Sequence, residues 1–559
     1  MSALIFARNL LALSGRDSAL GEALEAARPD DRYFVKMSRS GAPVPVCRAE
    51  GRDIAMHSLI DPEREGQRLA TAQQTGGFIV ALGLGAGYGL LPHLRSSTTS
   101  GILIIEYSEA LLRFLFEEFD LSEILADPRV SLLLDPDPAD IGRRLLATYV
   151  PALAGDICTL PLRPRTELEP DRFAAATNAV RDVLGRISDD YSVQAFFGRL
   201  WFRNAVRNLF VAERPSPPIR PARRAVVAAA GPSLESGLAA IAVERKAGAV
   251  LIATDTSLPA LLGMGMKPDL AVSIDCQAIS YYHFLKGIPD DIPLVLDLAS
   301  PNRLARLSPN VRFFSSGHPF CTFLSSRWRP FPALDTSGGN VTHAALSLAE
   351  ALGADRTLVV GADFSYPDGK SYARGTYIHD YFAKVAMRLV PLESAFAGFV
   401  FRTPSVQREA DIDAAGLPYS RYVTKPLLSY RLHLEEYAAK SRMEIRTLRD
   451  RGVPICIEEG RSPRWETKPL FAAGSARLGA EAFLRGYARL LAALPSPSEP
   501  AAVYLGSLDN ERRDLWTTLL PTASAFRRAA GKDRLASADL LETTRAWALR
   551  EIEEALDSR

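Results

Sequence analysis

Residues 223–241 read RRAVVAAAGPSLESGLAAI. A short apolar run stops at Gly231-Pro232-Ser233, and an amphipathic segment follows at once. That order, a buried strand, a glycine turn and then a helix, is the opening unit of a sheet of parallel strands. The turn also has chemical value. The first N–H groups of a helix have no partner within it and sit at the positive end of its dipole, so a glycine turn entering a helix is suited to phosphate. The same residues also serve as a simple turn with a helix cap.

Working outward, the strand–helix alternation continues on both sides. Downstream, the expected strands are AVVAAA, GAVLIAT, LAVSID, IPLVLDL, VRFFSS and RTLVVGA, with helices between several of them, notably NVTHAALSLAEALGA. Residues 370–425 read as irregular and rich in Tyr, Arg and Asp. A long helix is expected over KPLLSYRLHLEEYAAKSRMEIRTLRD, and then a last strand, VPICIEEG, at 453–460. Upstream, VAERPSPPIRPARR holds four prolines in a short span and reads as a linker. Before it, RYFVKM and PVPVCRA read as short strands. GGFIVALGLGAGYGLLPHL, GILIIEYSEALLRFLFEEF and VSLLLDP give a second run of strand, glycine loop, helix and strand.

These patterns predict an α/β chain. A central Rossmann-like domain with a parallel sheet is preceded by a second Rossmann-like domain and followed by helices. The expected divisions are 1–165 (N-terminal α/β domain), 166–215 (helical connector and linker), 216–465 (core, with a lid at about 365–425) and 466–559 (helical).

Composition narrows the function. The 559 residues hold 66 Lys+Arg against 65 Asp+Glu, a net charge of +1. A balance this even argues against nucleic-acid binding driven by bulk charge. The five cysteines (47, 158, 276, 321, 456) are scattered without a CxxC pair, which points away from a zinc site or a disulfide framework. The setting expected is cytoplasmic. The N-terminus has an arginine in its apolar stretch and no convincing cleavage site. The longest uncharged stretch, between Arg68 and Arg95, is broken by glycines and by Pro92, so no membrane span is expected.

Two glycine loops are candidate binding elements. Gly83, Gly85 and Gly87 follow a strand, and Glu106 ends the next one. A glycine loop with an acid at the second strand end suits a nucleoside, and equally an empty scaffold. At the second loop, Gly231, Pro232 and Ser233 are joined by acids at or near later strand ends: Asp255 with Thr256, Asp269, Asp275 and Asp363. Carboxyl ends of parallel strands gather on one edge, where ligands bind. Carboxylates there suit Mg²⁺ or another divalent cation, with Asp255 and Asp275 as its ligands; each aspartate equally suits helix capping. Ser337, Gly338, Gly339 and Asn340 open another helix and suit an anion or a cap, while His343 lies inside that helix as a structural residue. The segment GADFSYPDGKSYARGTYIHDY supplies Tyr366, Tyr372, Arg374, Tyr377 and His379, a polar aromatic set able to close over a substrate. The reading depends on the Gly231 amides and the carboxylates of Asp255, Asp275 and Asp363 converging.

With these residues in place, VVAAAGPSLESGL, LIATDTSLPALLGMGMKPDLAVSIDCQ and TSGGNVTHAALSLAEALGADRTLVVGADFSYPDG resemble the motility accessory factor glycosyltransferases of bacteria. The core of that family is similar to the 6-hydroxymethylpterin diphosphokinase-like domain and to bacterial sialyltransferases. The resemblance covers about residues 200–460, and with GLGAGYG and IIEYS it covers most of the chain. It implies transfer of a nonulosonic acid of the pseudaminic, legionaminic or sialic type from a CMP-sugar to Ser or Thr of flagellin. On that resemblance Ser233, Ser337, Gly338 and Tyr372 fall on positions contacting nucleotide or phosphate, with Tyr372 near the leaving phosphate; Asp363, as a strand-end acid, and Tyr366, from the polar aromatic loop, are further catalytic candidates.

The chain departs from the sialyltransferase pattern at Ala230, Asp255 and Asp275, where asparagines are expected. A carboxylate beside a phosphate calls for a cation, which is the reason to expect a divalent metal. The histidine expected before the late helix is missing from SRYVTKPLLSYRLHL until His433, so His379 is the expected general base. Two other readings stay open: Mg-ATP-dependent pyrophosphoryl transfer to a hydroxymethylpterin, and a flagellin-binding protein without catalysis.

Overall fold

The computed structural model describes residues 2–72, 77–413, 415–448, 450–457, 470–471, 478–531 and 536–558, with Asp189 described by its backbone only. The chain forms two compact units. One comprises Met1–Arg199 with Leu490–Leu549, the other Leu200–Arg489 with Arg550–Arg559.

In the first unit, β1 (Tyr33–Met37), β2 (Pro43–Ala49) and β3 (Arg52–Ala55) form an antiparallel sheet. β4 (Gly77–Leu82), β5 (Thr99–Glu106), β6 (Val130–Leu134) and β7 (Ile157–Pro161) form a parallel sheet in the order β6-β5-β4-β7. Alternate residues feed two cores. Ile79, Ala81, Ile102 and Ile104 pack on one face; Phe78, Val80, Leu82, Leu103 and Ile105 pack on the other. A sheet covered on both faces needs apolar side chains at every position, which is why FIVAL and ILII are unbroken apolar runs. The helices Ala501–Ser507, Asn510–Ala530 and most of Ser537–Asp557 belong to this unit. There the Arg527 guanidinium and the Ser537 hydroxyl donate to carbonyls at Ala152 and Leu153.

The second unit holds β8 (Arg224–Ala228), β9 (Val250–Thr254), β10 (Leu270–Ser273), β11 (Leu294–Asp297), β12 (Val311–Phe314), β13 (Arg356–Val360), β14 (Tyr366–Pro367), β15 (Gln407–Ile412), β16 (Pro418–Val423) and β17 (Glu444–Thr447). Its main sheet runs β12-β11-β10-β9-β8-β13-β17, and every neighbouring pair is parallel. The chain steps outward from β8 to β12 and then returns to the other side of β8. The strand order therefore reverses between β8 and β13, which in such sheets opens a crevice at the carboxyl edge. The Val341–Ala351 helix packs across β8, β9 and β10, adding Ala345, Leu346, Leu348 and Ala349 to the core. The α/β class with parallel strands is as the sequence reading has it.

Three expectations need correction. The long helix stops at Lys440, and residues Glu444–Thr447, expected to be helical, are the edge strand β17. Residues 453–457 of the expected last strand lie outside any strand, and 458–460 lie outside the described residues. Residues 370–425 are also more ordered than their composition suggests. They contain the helices Tyr377–Val385 and Leu392–Phe401 and two strands of the antiparallel sheet β14-β16-β15. Arg421 ties that sheet together by donating to Glu409 at 2.8 Å and Asp411 at 2.9 Å.

Candidate functional site

The Gly231-Pro232-Ser233 turn leaves β8 at the point where the strand order reverses, beside Gly361 and Asp363 at the end of β13. Its amides already have partners. Gly231 N–H donates to the Gly361 carbonyl (2.8 Å), and Ser233 N–H donates to the Asp363 carboxylate (3.0 Å). A Cβ on Gly231 would stand 2.1 Å from Asp363 Oδ2, so only glycine fits. Burial pushes the Asp363 carboxyl up to about 6, against the opposing pull of the Ser233 hydrogen bonds. The anion at this helix start is thus a side chain of the protein itself. Pro232, Ser233 and Asp363 line a cleft of about 200 Å³ together with Lys370 and Arg451.

A second group forms at the carboxyl ends of β9 and β10. Asp255 is buried; its Oδ2 accepts from the Ser273 hydroxyl (2.6 Å) and its Oδ1 from the Thr256 N–H (2.6 Å). Asp275, two residues past β10, takes the Gln277 N–H at 2.8 Å. Burial and then the charge of Asp255 push the Asp275 carboxyl up. Tyr377 feels the charge of both aspartates, and Tyr372 that of Asp255. Burial first, and nearby Tyr366, Tyr377 and Asp255 after it, push the Tyr372 phenol up. Burial and then Asp255 do the same for Tyr377. Arg402 sets its positive charge against Tyr366, Tyr372 and Tyr377. His283 joins from the turn after β10, its ring 4.7 Å from that of Tyr377.

The expected single cleft is therefore two groups on adjacent strands. They are tied by the 366–377 segment, whose Ala373 N–H donates to Ala230 O (2.9 Å) and whose Arg374 pairs with Glu235 (2.8 Å). Asp269, at the start of β10, serves structure by accepting the Leu251 N–H and pairing with Arg245.

His379 makes its contacts within its own helix and with the next one. It lies two positions along the helix from Tyr377, packs its ring on Phe396 and stands 3.8 Å from Asp380. Ser337, Gly338, Gly339 and Asn340 lie apart from the Gly231 turn. Asn340 caps its helix by accepting the His343 N–H (3.0 Å), and a Cβ on Gly338 would strike the His343 ring. Ser337 lines a cavity of about 190 Å³ with Asp335, His343, Glu350, His433 and Tyr437. His343 is buried beside Asp335, at 3.3 Å, and burial holds its pKa down.

The upstream glycine loop is filled by protein. Gly83, Gly85 and Gly87 all have positive φ, which only glycine adopts cheaply. A Cβ on Gly83 would meet the Arg165 side chain, and one on Gly85 the His57 ring. His57 accepts the Ala86 N–H (3.0 Å). Glu106 is wholly buried; it takes Arg165 Nε (2.7 Å) and the Tyr107 N–H (2.7 Å) on one oxygen and the Leu84 N–H (3.4 Å) on the other. The acid expected to hold a ribose holds an internal arginine instead, and the place for a nucleoside is taken by Arg165 and Leu162.

Sequence reading missed three features. Asn204 and Asn208, one helical turn apart, are buried. Asn204 donates to the carbonyls of Cys276 and Ala299, and Asn208 to those of Leu298 and Ser300. Their i, i+4 spacing in WFRNAVRNLF was the available signal. Asp297, the last residue of β11, is buried 3.9 Å from His318. His283 carries no local motif at all.

Among the described residues, no group of three or more His, Cys, Asp or Glu side chains gathers to hold a metal. Asp255 and Asp275 offer two carboxylates, a donor set that Mg²⁺ accepts when phosphate and water complete its shell. Among the described residues, no helix is long and apolar enough to cross a membrane.

Residues 203–369 match the family described as 6-hydroxymethylpterin diphosphokinase MptE-like. Relatives include three uncharacterized proteins of Treponema pallidum (strain Nichols). One is 38% identical over 145 residues, covering 25% of this chain and 50% of that protein. Another is 31% identical over 177 residues, covering 31% and 84%. The third is 24% identical over 255 residues, covering 45% and 56%. The chain thus spans about half the length of two of these relatives. A MAf glycosyltransferase from Magnetospirillum magneticum AMB-1 shares the fold, with a TM-score of 0.55 over 100% of this chain and 95% of that one, at 17% identity. The chain belongs to the MptE-like family, with the fold of a motility accessory factor glycosyltransferase.

Proposed function

We propose that the chain is a glycosyltransferase of the flagellin-modifying type, working in the cytoplasm. It would move a nonulosonic acid from a CMP-sugar to a Ser or Thr hydroxyl of flagellin. The fold shared with a MAf glycosyltransferase supports the class. The observation that carries the site is Tyr377 standing within electrostatic range of both Asp255 and Asp275 at the carboxyl edge, with Tyr372 in range of Asp255. Phenols whose pKa is raised stay protonated at neutral pH. They are therefore hydrogen-bond donors to a leaving phosphate, and their strength grows as charge develops on it. The acceptor hydroxyl attacks the anomeric carbon directly. The new C–O bond forms as the bond to phosphate breaks, and CMP leaves with the electron pair. Arg402 adds a positive charge on the same side. Asp255 and Asp275 would hold Mg²⁺, which would neutralise phosphate charge beside them.

The test is a thermal-shift screen with CMP, CDP, UDP, ATP and S-adenosylmethionine, each with and without Mg²⁺. A ligand binding only the folded state at a hundredfold excess over its Kd adds about 2.7 kcal/mol, a readable rise in Tm. CMP is expected to stabilise, more so with Mg²⁺ and less in Asp275→Ala. Binding undiminished in EDTA removes the metal from the proposal. The family match at 203–369 favours one second reading, pyrophosphoryl transfer from ATP to a pterin. Stabilisation by Mg-ATP alone, with AMP formed in the presence of hydroxymethylpterin, would decide for it.

A further inference from the structure

Direct attack by a hydroxyl needs a base, and the second unit offers five histidines: His283, His318, His343, His379 and His433. A base of this kind works best when a carboxylate fixes its ring. Among the described residues, three of these histidines have a carboxylate within 4 Å: His318 with Asp297, His343 with Asp335 and His379 with Asp380. The carboxylates differ in kind. The side chains of Asp335 and Asp380 are 45% and 34% exposed, whereas that of Asp297 is 2% exposed. Only Asp297 is a buried orienting group.

The surroundings fix His318 further. It leaves the loop after β12 at the carboxyl edge of the sheet, on the residue before Pro319. Its ring lies flat on Trp201, centroids 3.8 Å apart and planes 19° apart. Asp297 is itself held by the Ala299 N–H at 2.8 Å, and burial pushes its carboxyl up against the pull of His318. Among the described residues, two thiols also lie here. Cys276, which adjoins Asp275 and accepts a hydrogen bond from Trp201, is pushed up to about 12 by burial and by the charge of Asp275. Cys321, on the helix that His318 begins, is pushed up by burial and Asp297. Neither thiol loses its proton near neutrality. The His318 side chain keeps 22% of its surface exposed, so a substrate can reach it.

We propose that His318 is the general base of the transfer, oriented by Asp297 and stacked on Trp201; this rests on the glycosyltransferase reading above. As the acceptor oxygen bonds the anomeric carbon and the bond to phosphate breaks, the hydroxyl proton passes to the His318 imidazole. Asp297 is a positioning residue and keeps the imidazolium charge balanced.

The test uses the full chain with CMP-nonulosonate and flagellin. His318→Ala is expected to keep the CMP thermal shift and lose transfer by about 10²–10⁴-fold, the usual worth of a general base. His318→Gln, which retains bulk against Trp201, gives the same loss if the alanine variant folds poorly. Asp297→Asn is expected to move the acidic limb of the kcat/KM profile to lower pH, because the imidazolium loses its counter-charge. A structural role alone would leave that limb in place. Wild-type transfer by both His318 variants, or an unmoved limb in Asp297→Asn, overturns the assignment while the glycosyltransferase reading stands. A wild-type protein that neither binds CMP nor transfers sugar overturns both.

Discussion

Asp363 shows how one residue sets a local property of the molecule. Its carboxylate is held between Gly231 and Gly452, where a Cβ would stand 2.1 Å from Oδ2 and 2.8 Å from Oδ1 respectively. Burial there raises its pKa to about 6, against 3.8 for an ordinary aspartate. The folded state therefore binds the extra proton between those values, and stability falls as pH rises from about 4 to about 6. At about 1.36 kcal/mol per pH unit the loss approaches about 3 kcal/mol. Asp363→Asn keeps an acceptor for the Ser233 N–H and cannot ionise. We expect it to flatten the Tm profile across this range and to raise stability at pH 7.5 by about 1 kcal/mol, after loss of the charged hydrogen bond. A variant whose Tm follows the wild type at every pH contradicts this. Glu106 presents the same choice of partner differently: Arg165 is buried against it, so each charge satisfies the other.

At the scale of elements, the helix Pro170–Ala212 and the loops at the carboxyl edge depend on each other. Asn204 and Asn208 supply two donors each to carbonyls that no strand satisfies, after β10 and after β11. Asn204→Leu leaves the Cys276 and Ala299 carbonyls buried without that donor. We expect a loss of about 1–3 kcal/mol, read as a lower urea midpoint, and weaker CMP binding because Asp275 precedes Cys276. Unchanged stability and binding would count against this positioning role. Elements also show what the sequence conveys and what it does not. β4, β5 and β8 to β13 were legible because strands buried on both faces are continuously apolar. β17 was not, because EIRT is short and polar at a sheet edge and follows a helical pattern without an intervening glycine or proline. Its strand state comes from pairing with β13, helped by Arg356 to Glu444 at 3.1 Å. β15 and β16 were hidden because their residues are largely polar: β15 stays exposed at a sheet edge, and β16 is held to it by Arg421 pairing with Glu409 and Asp411.

At the scale of the whole molecule, the first unit is built from both ends of the chain. Leu491, Leu494, Tyr504, Trp516, Leu519, Leu540 and Trp547 are buried side chains that come from its C-terminal part. Each contributes about 1.5–3 kcal/mol when buried. Together they match or exceed the usual net stability of a domain, about 5–15 kcal/mol. A chain ending after residue 489 is therefore expected to expose the apolar surface left in Met1–Arg199, giving low soluble yield and strong binding of a hydrophobic dye. A truncated chain that melts as the wild type does and binds no dye would refute this.

The sequence alone determined the local grammar: the parallel α/β class, the two glycine turns, and the aspartates at strand ends that crowd one edge. Tertiary structure decided what each turn holds. A backbone N–H at a helix start donates to a carboxylate as readily as to a phosphate, and no local pattern distinguishes them. Asp363 reaches the Ser233 N–H from 130 residues away, and Arg165 reaches Glu106 from 59, so only folding could name those partners. The placing of Tyr377 near Asp255 and Asp275, and of His318 near Asp297, is non-local in the same way, because strand order rather than chain order sets the distances.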